Sequence, residues 1–138
     1  MSTLSIKTTI EDALSYRSLI DFCMRNDIWL RRTGSQLIEG IEPNDLDYVA
    51  DDPSGKVEEW LNTSGWIRGG SEREEEEFTS YKQGQYNVII CHTREYFTKY
   101  LMATELLVKL QPKTKQERID IFDTVIGTKN NPETMVPF

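Results

Sequence analysis

Two short motifs, Gly34-Ser35 and Asp45-Leu46-Asp47 with nine residues between them, constrain this 138-residue chain more than any other feature. They lie in residues 27–52, which read as an apolar strand (Ile28 to Leu30), the turn Thr33-Gly34-Ser35, a short helix, a Gly40/Pro43/Asn44 turn and a second strand. Alternate side chains of a strand share a face, so Asp45 and Asp47 point the same way while Leu46 points into the core. Carboxylates so placed, about 7 Å apart along the strand, repel each other unless a cation lies between them. Hard divalent ions take oxygen ligands, and Mg²⁺ commonly uses one or two carboxylates together with substrate phosphates. Gly34-Ser35 falls where a strand turns into a helix, and the free backbone N–H groups of such a turn suit a phosphate. The pair of motifs therefore points to a site for a nucleoside triphosphate (NTP) and Mg²⁺.

In this order and spacing, Gly34-Ser35 followed by Asp45-Leu46-Asp47 resembles the signature of the nucleotidyltransferase superfamily that includes DNA polymerase beta. Phe78-Thr79-Ser80, Gln85 to Ile90, Glu95-Tyr96-Phe97 and Ala103-Thr104-Glu105 extend the likeness to small nucleotidyltransferase-like proteins of tailed bacteriophages, over roughly residues 10–127. The resemblance implies a minimal α+β nucleotidyltransferase domain at residues 1–127, with a mixed sheet of about four or five strands, about five helices and a tail at 128–138. It implies Asp45 and Asp47 as catalytic residues and ligands of one or two Mg²⁺ ions. Gly34 and Ser35 hold the phosphates, with Arg31, Arg32 and Arg68 as further candidate contacts. Strand alternation lets only one of Arg31 and Arg32 face the site.

The superfamily carries a third carboxylate on a neighbouring strand, and here that position reads Asn87, a neutral amide that cannot act as a base. Glu76 or Glu77 on the adjoining hairpin arm is the candidate replacement. Three functions follow. The first is transfer of a nucleoside monophosphate from an NTP to a hydroxyl of a protein, RNA or small molecule. The second is a pseudo-enzyme that binds a nucleotide or a host protein, and the third is a toxin–antitoxin component.

Composition narrows the partners. A net charge of −7 opposes broad binding to nucleic-acid backbones, so general DNA binding is not expected. No apolar run reaches membrane-spanning length and the N-terminus lacks an apolar signal segment. Two cysteines, Cys23 and Cys91, read as free thiols, and a cytoplasmic setting is expected (the host cytoplasm, if the phage resemblance holds). The single histidine, His92, excludes a multi-histidine zinc site within the chain.

The remaining pattern predicts the frame. Thr8 to Glu11 forms a capping box for a helix over 9–25 that buries Ile10, Leu14, Leu19, Ile20 and Cys23. A short helix over 55–62 carries Val57, Trp60 and Leu61 on one side, and Trp66-Ile67 begins a short strand. The Glu-rich segment 72–77 reads as a solvated loop, or as a lid acting through Arg68 or Arg73. A hairpin over 78–91 turns at Gly84 and places Val88 and Ile90 opposite Asn87 and Ile89. Thr93 caps a helix to Leu110 with Tyr96, Phe97, Tyr100, Leu101, Thr104, Leu107 and Val108 as its buried stripe. Thr114 to Glu117 is a second capping box, for a helix that Gly127 ends.

Overall fold

The computed structural model describes residues 9–69 and 77–127. In chain order these form α1 (Ile10–Arg25), β1 (Leu30–Thr33), a 3₁₀ turn (Gly34–Leu37), β2 (Leu46–Asp51), α2 (Lys56–Thr63), β3 (Ile67–Arg68), β4 (Phe78–Gln83), β5 (Tyr86–Cys91), α3 (Arg94–Leu110) and α4 (Lys115–Ile126). The strands make one mixed sheet of order β1-β2-β5-β4-β3, with β2 and β5 parallel and the other neighbours antiparallel. This is the expected small α+β architecture, with four α-helices among the described residues where about five were expected. The proposed tail at 128–138 and most of the Glu-rich segment, including Arg73 and Glu76, lie outside the described residues.

Strand alternation sorts the core into two layers. Leu46, Tyr48 and Ala50 of β2 and Tyr86, Val88 and Ile90 of β5 pack with Leu19 and Cys23 of α1 and with Val57 and Leu61 of α2. Val49 of β2 and Ile89 and Cys91 of β5 face the other way, against Phe97, Tyr100 and Leu107 of α3 and Phe122 of α4. Every residue of β2 is therefore buried, as in a strand covered by helices on both sides. Asp47 lies on the second face, beneath α3 and α4.

The helix ends follow local chemistry. Thr93 Oγ1 accepts from Tyr96 N (3.1 Å), and Thr114 and Glu117 form the expected reciprocal box. At α1 the cap is Thr9, which accepts from Asp12 N (3.0 Å); Thr8 lies outside the described residues. Asp52 caps α2 through both carboxylate oxygens, which accept from Val57 N and Glu58 N at 3.0 Å each.

Two assignments of buried faces change. Ile10 and Leu14 are exposed because the side of α1 turned to the sheet runs through Asp12, Tyr16, Leu19 and Cys23: Asp12 accepts from Gln83 Nε2 of β4 (3.4 Å), and Tyr16 stacks on Tyr86 with centroids 4.6 Å apart. On α3, Ala103 is buried and Val108 is exposed, because the face toward the sheet follows 96, 100, 103 and 107. On α2, Trp60 shares the expected side with Val57 and Leu61, partly buried and stacked on Phe22 at 5.3 Å. Phe122 is fully buried and meets Tyr100 edge-on at 4.9 Å, which anchors α4 to the core. Truncating a phenylalanine buried in this way typically costs about 3–5 kcal/mol.

Candidate functional site

The sheet register writes the site as one transverse row. Thr33 pairs with Asp47, Asp47 with Asn87, and Asn87 with Lys82, so these four residues of β1, β2, β5 and β4 lie side by side on one face. Thr33 leads directly into Gly34, which folds back over the row. At φ +77° Gly34 holds a conformation that glycine adopts at no steric cost. An added Cβ there would stand 2.5 Å from Asp47 Oδ2, so the bend and the carboxylate touch.

Several bonds hold this contact. Thr104 Oγ1 of α3 donates to Tyr100 O (2.8 Å), which leaves the Thr33 hydroxyl to donate to Thr104 across 2.8 Å. The Gln36 amide donates to the carbonyls of Thr33 and Asp47 and closes the 3₁₀ turn onto β2. Asn87 Nδ2 donates to Asp47 Oδ1 at 3.0 Å. Asp45 precedes β2, and its Oδ1 accepts from Lys82 Nζ at 3.2 Å.

Asp45, Asp47 and Ser35 line one pocket of about 190 Å³ together with Ile41, Glu42 and Asn44 of the connecting loop and Lys115 and Arg118 of α4. Asp47 is 6% exposed. Its burial raises the carboxyl pKa above the ordinary range, the Asn87 bond opposes that rise, the Asp45 charge adds to it and Lys82 lowers it. A carboxylate in this setting gains from a cation at its open side.

The oxygen donors of Asp45, Asp47 and Ser35 are of the kind that a hard divalent ion takes. Among the described residues no cluster of three or more His, Cys, Asp and Glu side chains is arranged to hold a metal. Two carboxylates fit an Mg²⁺ ion that completes its shell with water and phosphate oxygens, rather than one enclosed by protein.

The arginines expected here lie elsewhere. Arg31 shares the Asp47 face, but its guanidinium sits 5.8 Å over the Trp29 ring and does not line the pocket. Arg32 pairs with Tyr48 and so lies on the opposite face, close enough to lower the hydroxyl pKa of Tyr48 and Tyr16 against the effect of their burial. Arg68 lies on β3 at the far edge of the sheet, 3.9 Å from Glu58. Glu77 does not replace the third acid, because it precedes Phe78, which pairs with Cys91 at the end of β5 remote from Asn87. The residue opposite Asn87 is a cation, Lys82. His92 also stands apart, 3.6 Å from Glu58 and 3.3 Å from Thr79.

Sequence reasoning missed Lys82, Lys115 and Arg118. Lys82 was readable in principle, since the hairpin turn fixes its pairing with Asn87. Lys115 and Arg118 reach the pocket through helix docking, which leaves no local signal beyond their spacing on the first turn of a capped helix. No protein-family model, curated protein or solved structure matches the chain.

Proposed function

We propose that the chain is an Mg²⁺-dependent nucleotidyltransferase-like protein that binds a nucleoside triphosphate and passes its nucleoside monophosphate to a hydroxyl of a protein, RNA or small molecule. The observation that carries this reading is the contact of the Gly34 bend with Asp47 in the pocket that Ser35 and Asp45 also line. In such transfers the acceptor oxygen bonds to the α-phosphorus, the bond to the bridging oxygen breaks, and pyrophosphate leaves. Asp45 and Asp47 would hold the ion, and Ser35 would offer its hydroxyl to phosphate. Bound Mg²⁺ supplies charge neutralisation of the phosphates. Asp47 is pinned by Asn87 and by the Gly34 bend, so it would meet an ion in a preset position.

A second reading keeps the binding and drops the chemistry. It is favoured by the Asn87 amide, which donates to Asp47 and offers no base for the proton of the acceptor hydroxyl. In that case the protein is a pseudo-nucleotidyltransferase that binds a nucleotide or a host protein.

Incubation with Mg²⁺, NTP labelled at the α-phosphate and candidate acceptors separates the two. Label transferred by the wild type and not by Asp45→Asn/Asp47→Asn supports the enzyme. A raised melting temperature without transfer supports the pseudo-enzyme, since ligand at 100 times its Kd adds about 2.7 kcal/mol. The absence of both responses rejects the nucleotide reading.

A further inference from the structure

We infer that α4 forms the phosphate-binding wall of the pocket, with Lys115 and Arg118 as the cations that receive the polyphosphate end of the nucleotide. This rests on the nucleotide reading above and adds the contact it lacks, since none of the three arginines expected from the sequence lines the pocket.

Both side chains line the same cavity as Ser35, Asp45 and Asp47. Their spacing of three residues on the first turn of α4 places them on one side of the helix. The Thr114–Glu117 box fixes that turn, and Phe122 holds the helix down one turn later. Arg118 is further oriented by donating to the carbonyls of Pro112 (3.5 Å) and Lys113 (3.4 Å). Neither cation forms an ion pair with a carboxylate among the described residues, whereas Arg68, Lys82, Arg94 and Lys109 each do. In a chain of net charge −7, an exposed Lys115 and a half-buried Arg118 that line one concave site without ion pairs among the described residues mark a place for an anion.

The charge balance couples that anion to the metal. The lining carries Glu42, Asp45 and Asp47 against Lys115 and Arg118, and Lys82, paired with Asp45, brings the balance to zero. One divalent cation makes the pocket positive. Polyphosphate therefore binds with Mg²⁺ and poorly without it.

The probe is inorganic tripolyphosphate, titrated calorimetrically with and without Mg²⁺, alongside Mg²⁺–ATP. Lys115→Ala/Arg118→Ala is expected to weaken both by about tenfold for each cation lost, the scale of a charge-assisted hydrogen bond, with the ligand-free melting temperature unchanged. Lys115→Arg retains binding within a few-fold. Lys56→Ala/Lys109→Ala, which removes the same charge outside the pocket, leaves affinity in place. If the wild type binds and Lys115→Ala/Arg118→Ala binds equally well, the wall is overturned while the nucleotide reading stands. An equal loss in the Lys56/Lys109 control also overturns it, by assigning the effect to net charge. If the wild type binds neither ligand with Mg²⁺ present, the nucleotide reading fails and the wall with it.

Discussion

Replacing Gly34 by alanine tests the geometry at the centre of the site. The new Cβ would lie 2.5 Å from Asp47 Oδ2, 3.2 Å from its Cβ and 3.3 Å from its Cγ, against an ordinary contact of at least 3.4 Å. The carboxylate yields only by straining its 3.0 Å bond from Asn87, which is charge-assisted and partly buried. Losing such a bond costs about 1.5–3 kcal/mol, and a left-handed φ for alanine adds about 1–2 kcal/mol. The total is about 2.5–5 kcal/mol. Gly40→Ala is the matched control: its φ is +79° and nothing lies within 4 Å of its added Cβ. It carries the backbone cost alone, about 1–2 kcal/mol. Urea unfolding at an unchanged m-value measures both. A Gly34→Ala penalty no larger than that of Gly40→Ala would refute the contact between the bend and Asp47.

Asn87→Asp places a third carboxylate beside Asp47 and removes a donor. Without metal it is expected to cost about 2–4 kcal/mol from the lost bond and new repulsion, and added Mg²⁺ should recover most of that in a melting experiment. Lys82→Met removes a half-exposed ion pair worth about 0–1 kcal/mol, so urea unfolding should change little; Mn²⁺ affinity measured by electron paramagnetic resonance should rise as a competing cation is lost. The thiols are expected to be silent in the native protein. Burial, aided by the Asp52 charge, pushes Cys23 up to about 12, and burial with the Asp51 and Glu77 charges pushes Cys91 above its ordinary value. Both stay protonated at mildly alkaline pH, and a chromogenic disulfide reagent should label them only in denaturant.

The frame and half of the site were legible because both rest on local pattern. Alternation in Leu46-Asp47-Tyr48 and in Asn87-Val88-Ile89 assigns each strand residue to a face, and the hairpin turn at Gly84 sets the pairing that brings Lys82 to Asn87. Thr93 and Thr114 announce their helices through side chains that bond within four residues. What was not legible depends on how separate elements dock. Arg32 and Arg68 look like phosphate contacts by proximity in sequence, yet register turns one to the other face and carries the other to the opposite edge. Ile10 and Leu14 keep helical spacing with one another, but α1 turns the side of Asp12, Tyr16, Leu19 and Cys23 to the sheet and leaves them outside it. Lys115 and Arg118 stand some 70–80 residues beyond the motifs they join, and the packing of α4 on the core through Phe122, Ile121, Val125 and Ile126 brings them there.

Calorimetric titration of the wild type and of Asp47→Asn with each nucleoside triphosphate in the presence of Mg²⁺ bears most directly on the site. The expected result is saturable one-to-one binding of at least one nucleotide, dependent on Mg²⁺ and weakened at least tenfold by a substitution that keeps the shape of Asp47 and removes its charge. Absence of binding to the wild type, or equal binding by both proteins, would contradict a nucleotide-and-metal pocket at Asp45 and Asp47.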